Sequence, residues 1–343
     1  AKNYGIKMES AALSGVDVIK NPMFADYFKT WYETYKFPSI RKSTQKRYIT
    51  NYHYIENYFG DTKIKNITRS NYQKFLNYLG KKHAPATVRK TNIMIKSCIG
   101  NAVEDGLVER NFTNRTTITG NKNAEKHVQY LNMKELCKLV QLCLTDLNTR
   151  YTSKYLVLAG IFTGARIGEL SALKWSDIDF KNNTININKS WNCNTKKLGP
   201  TKTKSSVRKI KVNSFLLKTI KQLKANNLDF IFAIPRTELP PSSSAVNQFL
   251  RRTLDQGNIY KQDFHFHSLR HTHVAYLLSK GVDISAISKR LGHANIATTL
   301  KIYAYLLDEY KEKQDSKIIN SLDDICATFV QHGQNYSSSL ELH

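Results

Sequence analysis

Thr163-Gly164-Ala165-Arg166-Ile167-Gly168-Glu169-Leu170 is the stretch on which the reading of this chain turns. It closes the longest apolar run, around Tyr155 to Phe162, which with Ser153 onward reads as a helix too short to cross a bilayer. Thr163-Gly164 allows a close approach to an anion just ahead of Arg166, although an exposed arginine at a helix end is the plainer role. Upstream, Met133 to Leu144 is helical. Downstream, Thr184-Ile-Asn-Ile-Asn188 and Val207-Arg-Lys-Ile-Lys-Val212 alternate with period two and read as strands, joined by a Lys-, Asn- and Gly-containing stretch as in a long β-hairpin. Ser244 can cap a helix ending near Leu254. Helical segments then start at Ser268, Asp283 and Asn295, separated by Gly281 and Gly292. Ile284, Ile287 and Leu291 make an apolar stripe behind an Asp283 cap, which are core positions. This part of the chain is thus mostly helical with a small sheet.

The first third is helical throughout. Phe24, Tyr27, Phe28 and Trp31 fall at helical spacing, Phe37-Pro38-Ser39 breaks the pattern, and Ser43-Thr44 opens an amphipathic segment running to Tyr58. A third helix spans Asn71 to Leu79 with Gly80 as its stop. A fourth runs from Ala84-Pro85 towards Val103, with Gly106 as breaker. Basic residues Arg41, Lys42, Lys46, Arg47, Arg89 and Lys90 gather at helix starts, where positive side chains and free backbone N–H groups suit phosphate. The polar run 112–128 reads as a linker. Residues 1–20 show no clear core pattern, and the end from Gln331 to His343 has the composition of a disordered or tag-like segment.

The charge is the first functional clue. Fifty-two Lys and Arg against 27 Asp and Glu give +25 over 343 residues, and a pI near 9.7. Such an excess repels itself unless a polyanion neutralises it, and nucleic acid is the usual one; acidic membranes or ribosomes are the other candidates. Five scattered cysteines with no CxxC pair indicate neither a disulfide framework nor a cysteine zinc site, and fit a reducing cytoplasm. No secretory leader pattern opens the chain.

Four islands carry the chemistry: the 163–170 stretch, Thr201-Lys202-Thr203-Lys204-Ser205-Ser206, His267-Ser-Leu-Arg270-His-Thr-His273, and Leu291-Gly-His293 with Tyr303 ten residues on. In this order they resemble the tyrosine recombinase, or phage integrase, family of bacteria. The motifs are an Arg in TGxRxxEL, a hairpin Lys, HxLRH, LGH and a following Tyr. The set spans roughly 140 residues, and the helical first third is similar in pattern to the family's core-binding domain.

The resemblance implies a mainly α fold with a small antiparallel sheet. That fold is a C-shaped, two-domain clamp, with a helical core DNA-binding domain at 21–111 and an α+β catalytic domain at 129–310. Residues 1–20 could be the remnant of an arm-binding domain, and 311–343 a tail helix with a disordered end. It implies a site-specific recombinase that cleaves and rejoins DNA through a 3′-phosphotyrosyl intermediate and a Holliday junction, with neither metal nor nucleotide cofactor. Tyr303 is then the nucleophile, with Tyr305 the decoy on another helix face. Arg166 and Arg270 hold the phosphate, Lys202 protonates the leaving 5′-oxygen, His267 is the base or proton-sharing residue, and His293 donates to the phosphate. Lys204 is the nearest competitor of Lys202 and also a DNA contact; Lys197 is a weaker competitor, and a plain phosphate contact is open to any hairpin lysine.

The residue types suit these tasks. A guanidinium donates paired hydrogen bonds and stays charged at every relevant pH. A phenol is mostly neutral and must lose its proton in attack, yet leaves more readily than a sugar hydroxyl, so the link can be reversed. Imidazole changes charge near neutral pH. Glu169, one turn beyond Arg166, is read as orienting it. His265, His271 and His273 are read as structural or DNA-facing. His267 and His271 stand four apart as metal ligands would, but no Glu completes HExxH, so no metal site is expected.

The implied partners are double-stranded DNA attachment sites, a homotetramer on DNA and an accessory directionality factor, with no membrane, in the bacterial cytoplasm at the nucleoid. Ile318, Leu322, Ile325 and Phe329 recur at helical spacing in the tail, which could pack on its own domain or on a neighbouring protomer. The competing functions are a catalytically silent DNA-binding regulator of the same fold, a chromosome-dimer resolvase and a relaxing type IB-like topoisomerase. Within the recombinases, the long hairpin and loosely patterned amino end favour a mobile-element integrase.

Overall fold

The computed structural model describes residues 21–40, 42–125, 128–201, 203–297, 299–300, 319 and 322. The chain divides into two compact units between His127 and Val128. The expectations for residues 1–20 and, apart from Ile319 and Leu322, for the tail 311–343 lie outside the described residues.

The first unit is built on helices α1 (Phe24–Trp31), α2 (Lys42–Phe59), α3 (Arg69–Lys82) and α4 (Pro85–Glu104). Phe24, Phe28 and Trp31 form one buried stripe of α1, because residues four and three apart share a helix face. Beyond Trp31 the backbone passes through a π turn, Tyr32–Lys36, and a 3-10 turn, Phe37–Ser39, where Pro38 blocks α-helical continuation. The core is rich in rings. Phe24 meets Phe59 edge-on at 5.3 Å and Phe112 at 5.9 Å, and Tyr72 meets Phe112 at 5.5 Å.

Two expectations are corrected here. The segment read as a linker from 112 belongs to this unit: Phe112 and Thr113 are buried, and the Gln73 side chain exchanges two hydrogen bonds with the Thr117 backbone, at 2.8 and 2.9 Å. Its polar composition misled because helix side chains, not a ladder, satisfy its backbone. Gly80 does not stop α3, which runs on to Lys82. A Cβ at Gly80 would stand 2.8 Å from Thr119 Oγ1, so the glycine lets this docked segment lie close.

The second unit has α5 (Met133–Leu144), α6 (Ser153–Thr163), α7 (Ile167–Ser171), α8 (Ser214–Lys221), α9 (Ser243–Gln256), α10 (Phe266–Ser279) and α11 (Ile284–Leu291). Helix α6 is apolar all round and buried nearly all round, from Tyr155 to Ile161, which makes it the axis of the core. Asn132 opens α5 with a reciprocal cap: its side chain accepts from Glu135 N at 3.0 Å, and Glu135 accepts from Asn132 N at 2.8 Å. Val274, Ala275 and Leu278 of α10 pack with Ile287 and Leu291 of α11, which fixes where the turn after Leu291 lies.

The sheet is more divided than a single long hairpin. Strands β1 (Ile178–Asp179), β2 (Thr184–Ile187) and β5 (Arg208–Lys211) form an antiparallel sheet in the order β1-β2-β5, with Ile185 opposite Ile210. Nested between β2 and β5, β3 (Lys189–Asn192) and β4 (Lys197–Pro200) pair separately. Strand β1 and helix α7 are too short for a periodic signal, whereas α8, which was not among the expected elements, buries Leu216, Leu217 and Ile220. The cap of α9 is Ser242, which accepts from Ala245 N at 3.1 Å, not Ser244, and α10 starts at Phe266, two residues before Ser268. Asp283 caps α11 through Ser285 N and Ala286 N. No helix among the described residues is long and apolar enough to cross a membrane.

Candidate active site

Helix α6 ends at Gly164, whose φ of +64° lies in the left-handed region that a side chain resists. The turn hands the chain to Arg166, the residue that precedes α7. Glu169, one turn on and almost fully buried, accepts from Arg166 twice: Nη1 donates to Oε1 at 2.7 Å and the backbone N–H to Oε2 at 3.1 Å. Glu169 thus orients Arg166, and leaves about a third of that arginine's side chain open to solvent.

Arg270, on α10, is buried and gathers the rest. Its Nη1 donates to Gly164 O at 2.9 Å, and its Nη2 to Leu291 O at 2.9 Å and to His293 Nε2 at 2.8 Å. His293 Nδ1 lies 2.7 Å from Thr299 Oγ1. Because an arginine can only donate, Nε2 is the acceptor and the neutral ring carries its proton on Nδ1. Burial first, and then the charges of Arg270, Arg166 and Arg208, push the His293 pKa down to about 4.

His267 stands one turn before Arg270 with its ring edge-on to His271, at 5.0 Å. Burial, then His271, Arg270, His265 and Arg166, press its pKa down to about 3. More than a third of the residue is solvent-exposed. His271 is lowered to about 4 by burial and Arg270. His273 is structural: Nδ1 donates to Ile161 O at 2.8 Å and Nε2 accepts from Arg290 Nε at 3.2 Å.

Two arginines escaped the motif reading. Arg208, on β5, donates through Nη2 to Glu169 Oε2 at 2.9 Å, through Nη1 to Ser206 O at 2.8 Å and through Nε to Arg290 O at 2.7 Å. Arg290, on α11, donates to Lys211 O at 2.8 Å and Phe162 O at 3.1 Å. For Glu169, burial works to raise the pKa, but the hydrogen bond and charge of Arg208, with the charge of Arg166, hold it below the ordinary value. A signal was present in the sequence: Arg208 is a charged residue inside an alternating strand, next to the lysine island.

With these side chains placed, the comparisons with known proteins can be set beside them. The phage integrase family model matches residues 129–309, more than half of the chain, and the phage integrase N-terminal SAM-like domain matches 23–80. The chain belongs to the phage integrase family. It is 32% identical to the integrase of Staphylococcus phage L54a over 218 residues, covering 57% of this chain and 61% of that one. In fold it is similar to the Tn1549 transposon integrase in complex with a circular intermediate DNA, with a TM-score of 0.73 and 17% identity over 82% of this chain and 95% of that one. It is also similar to a lambda integrase tetramer bound to a Holliday junction, with a TM-score of 0.60 and 20% identity over 80% and 78%. The fold is the two-domain tyrosine recombinase fold, mainly helical with small antiparallel sheets.

Of the residues expected to matter in this integrase-family chain, Arg166 and Glu169 form one bonded pair and Arg270 and His293 another, joined through the Gly164 carbonyl and through Arg208, and His267 lies within reach of their charges. Lys204 is exposed in the turn Lys204–Ser206 that abuts the cluster through Ser206. Lys202, Tyr303 and Arg41 lie outside the described residues. Lys42, Lys46, Arg47, Arg89 and Lys90 are exposed along the first turns of α2 and α4. An apolar pocket of about 1060 Å³ in the second unit lies against His273 and Arg290, and neither Arg166 nor Arg270 lines it. A substrate as extended as a duplex is held on a surface and needs no cavity.

Proposed function

We propose that this chain is a site-specific DNA recombinase of a phage or mobile element, cutting and rejoining one strand at a time through Tyr303. The observation that carries the proposal is the reach of the Arg270 guanidinium. It bonds a carbonyl 106 residues away, in the turn before Arg166, and also His293, 23 residues on. Three of the four islands are thereby drawn onto one point, with the fourth, the 203–206 turn, tied in by Arg208.

In this reading Arg166 and Arg270 hold the non-bridging oxygens of the scissile phosphate, where charge grows during in-line attack. The Tyr303 oxygen bonds to phosphorus as the bond to the 5′-oxygen breaks. The phenolic proton passes to His267, whose ring is neutral in the free protein and gains basicity when the negative charge of the bound phosphate offsets the neighbouring cations. Lys202 gives a proton to the departing 5′-oxygen, with Lys204 as the alternative donor. His293 donates to the phosphate once its proton sits on Nε2 and Arg270 turns from that nitrogen to the phosphate. Attack by the 5′-hydroxyl of another strand on the phosphotyrosine reverses these bonds and gives a Holliday junction.

The basic residues at the starts of α2 and α4 grip the DNA backbone. The partners are duplex attachment sites and three further copies of the chain, with an accessory factor setting direction, at the nucleoid. The lambda tetramer on a Holliday junction supports this assembly by likeness of fold.

The test is a suicide substrate that traps the covalent complex on candidate junction DNA. Wild-type protein is expected to form an adduct whose labelled peptide contains Tyr303, and Tyr303→Phe to bind the same DNA without forming one. An adduct made by Tyr303→Phe would refute the assignment.

A further inference from the structure

We infer that Arg208 is a positioning residue for strand cleavage: it locks Glu169, and through it Arg166, to the turn that carries His293. The inference rests on the recombinase reading above and deepens it.

Three bonds leave one guanidinium in three directions. The Glu169 carboxylate is shared by two arginines, with Oε1 on Arg166 Nη1 and Oε2 on both Arg208 Nη2 and the Arg166 backbone. With Arg166 as its sole partner the carboxylate could rotate about its own side-chain bonds; with a second, buried arginine at 2.9 Å its plane is fixed. Arg208 Nε meanwhile takes the carbonyl of Arg290, three residues before His293, and Nη1 takes that of Ser206, at the end of the lysine turn. The same place is crowded from the other side: a Cβ on Gly292 would stand 2.8 Å from Ser205 O and 3.2 Å from Arg208 Cδ. Arg208 therefore sets the spacing between the phosphate-facing arginine, the hairpin turn and the histidine turn. None of its three acceptors is a substrate atom. Lysine cannot replace it, because a single ammonium on a flexible stem cannot fix three acceptors in a plane.

The experiment measures single-turnover cleavage of a suicide substrate at saturating protein, with DNA affinity and the unfolding midpoint, for wild type, Arg208→Gln, Arg208→Lys, Glu169→Gln and the double variant Arg208→Gln/Glu169→Gln. Arg208→Gln is expected to slow cleavage on the order of 10²-fold, the effect of a small misplacement of a reacting group, with DNA affinity unchanged. The double variant should cleave no more slowly than the slower single one, since both act through one carboxylate. Independent, multiplying losses would overturn the inference, as would wild-type cleavage by folded Arg208→Gln. If Arg208→Gln does not fold, Arg208→Lys carries the test: slowed cleavage at unchanged affinity supports the role, and the wild-type rate overturns it. Wild-type protein that forms no adduct sinks the recombinase reading along with this one; an active wild type with undiminished Arg208 variants sinks this one alone.

Discussion

Replacing Gly164 by alanine should damage the second unit more than its small size suggests. Two costs add. The backbone at φ +64° is left-handed, which costs an L-residue with a Cβ about 1–2 kcal/mol. The new methyl group would also stand 2.7 Å from His273 Cδ2 and 2.9 Å from Leu291 Cδ2, well inside the ~3.5–4.0 Å of ordinary carbon contact. Both neighbours are buried and cannot move aside, so overpacking adds about 1–3 kcal/mol. The total is about 2–5 kcal/mol, a large part of a domain's typical stability. Gly100, inside α4 four residues before its end, is the matched control: nothing lies within 4 Å of its would-be Cβ. Gly100→Ala should stabilise the first unit by about 0.5–1 kcal/mol, the usual gain from removing a glycine inside a helix. Urea unfolding of the two variants, followed by circular dichroism, reads both effects. A Gly164→Ala protein within about 0.5 kcal/mol of wild type, the range of an inconsequential surface change, would refute the reasoning. So would a Gly100→Ala protein that is the more damaged of the two.

Acid should begin to destabilise the second unit at a pH above the ordinary carboxylate range. The pKa values of His267, His271, His273 and His293 are depressed in the folded state to between about 3 and about 4, against about 6.5 unfolded. The unfolded chain therefore binds more protons below pH 6.5, and the stability these neutral rings confer is full above that pH and lost as pH falls towards 4. His273, the most buried of them, should contribute a slope of up to ~1.4 kcal/mol per pH unit; urea midpoints between pH 4 and 6.5 should show a shallower slope for His273→Gln, and an unchanged slope would count against this account. In the first unit, Thr91→Val removes the hydroxyl that donates to buried Asn51 Oδ1 at 3.0 Å and should cost about 1–3 kcal/mol by leaving the amide oxygen unpaired, measurable as a drop in urea midpoint. Asn132→Ala removes the side-chain half of the α5 cap, the Oδ1 that accepts from Glu135 N; a loss of about 1 kcal/mol is expected, and a neutral result in the same assay would show that this half of the cap does not hold the helix.

Long periodic helices were legible in the sequence because one repeating pattern over a dozen residues outweighs local exceptions. Thus α5 was found at both ends and α6 and α4 to within a residue or two. Helix α7 has five residues and strand β1 two, little more than one period of evidence, and they exist because the flanking core holds them. The linker reading failed at Phe112, whose burial depends on Phe24 and Tyr72, partners that no local window contains. The site divides in the same way. Motif order pointed to Arg166, His267, Arg270 and His293, since each carries its own signature. Arg208 and Arg290 belong to no such motif, and the charge of Arg208 inside an alternating strand was the single hint; they act by bonding carbonyls 82 and 128 residues away, which only the folded chain brings near.

The way these arginines are satisfied bears on what the site is for. Arg270, Arg290 and Arg208 each direct two hydrogen bonds at backbone carbonyls, those of Gly164, Leu291, Phe162, Lys211, Ser206 and Arg290. A carbonyl satisfies a donor without cancelling its charge, whereas a carboxylate does both. A chain folded for stability alone gains little by collecting buried guanidiniums, because desolvating each costs several kcal/mol before any attraction is counted. Carbonyl bonding keeps the cluster rigid and leaves its positive field intact, and burial together with that field depresses the imidazoles around it. The carboxylate Glu169 is spent on aiming Arg166, the arginine left part-open to solvent. Held charge, neutral imidazoles and one aimed guanidinium are together what a phosphodiester requires when negative charge builds on it, and a protein that merely gripped DNA at its surface would have no use for their burial.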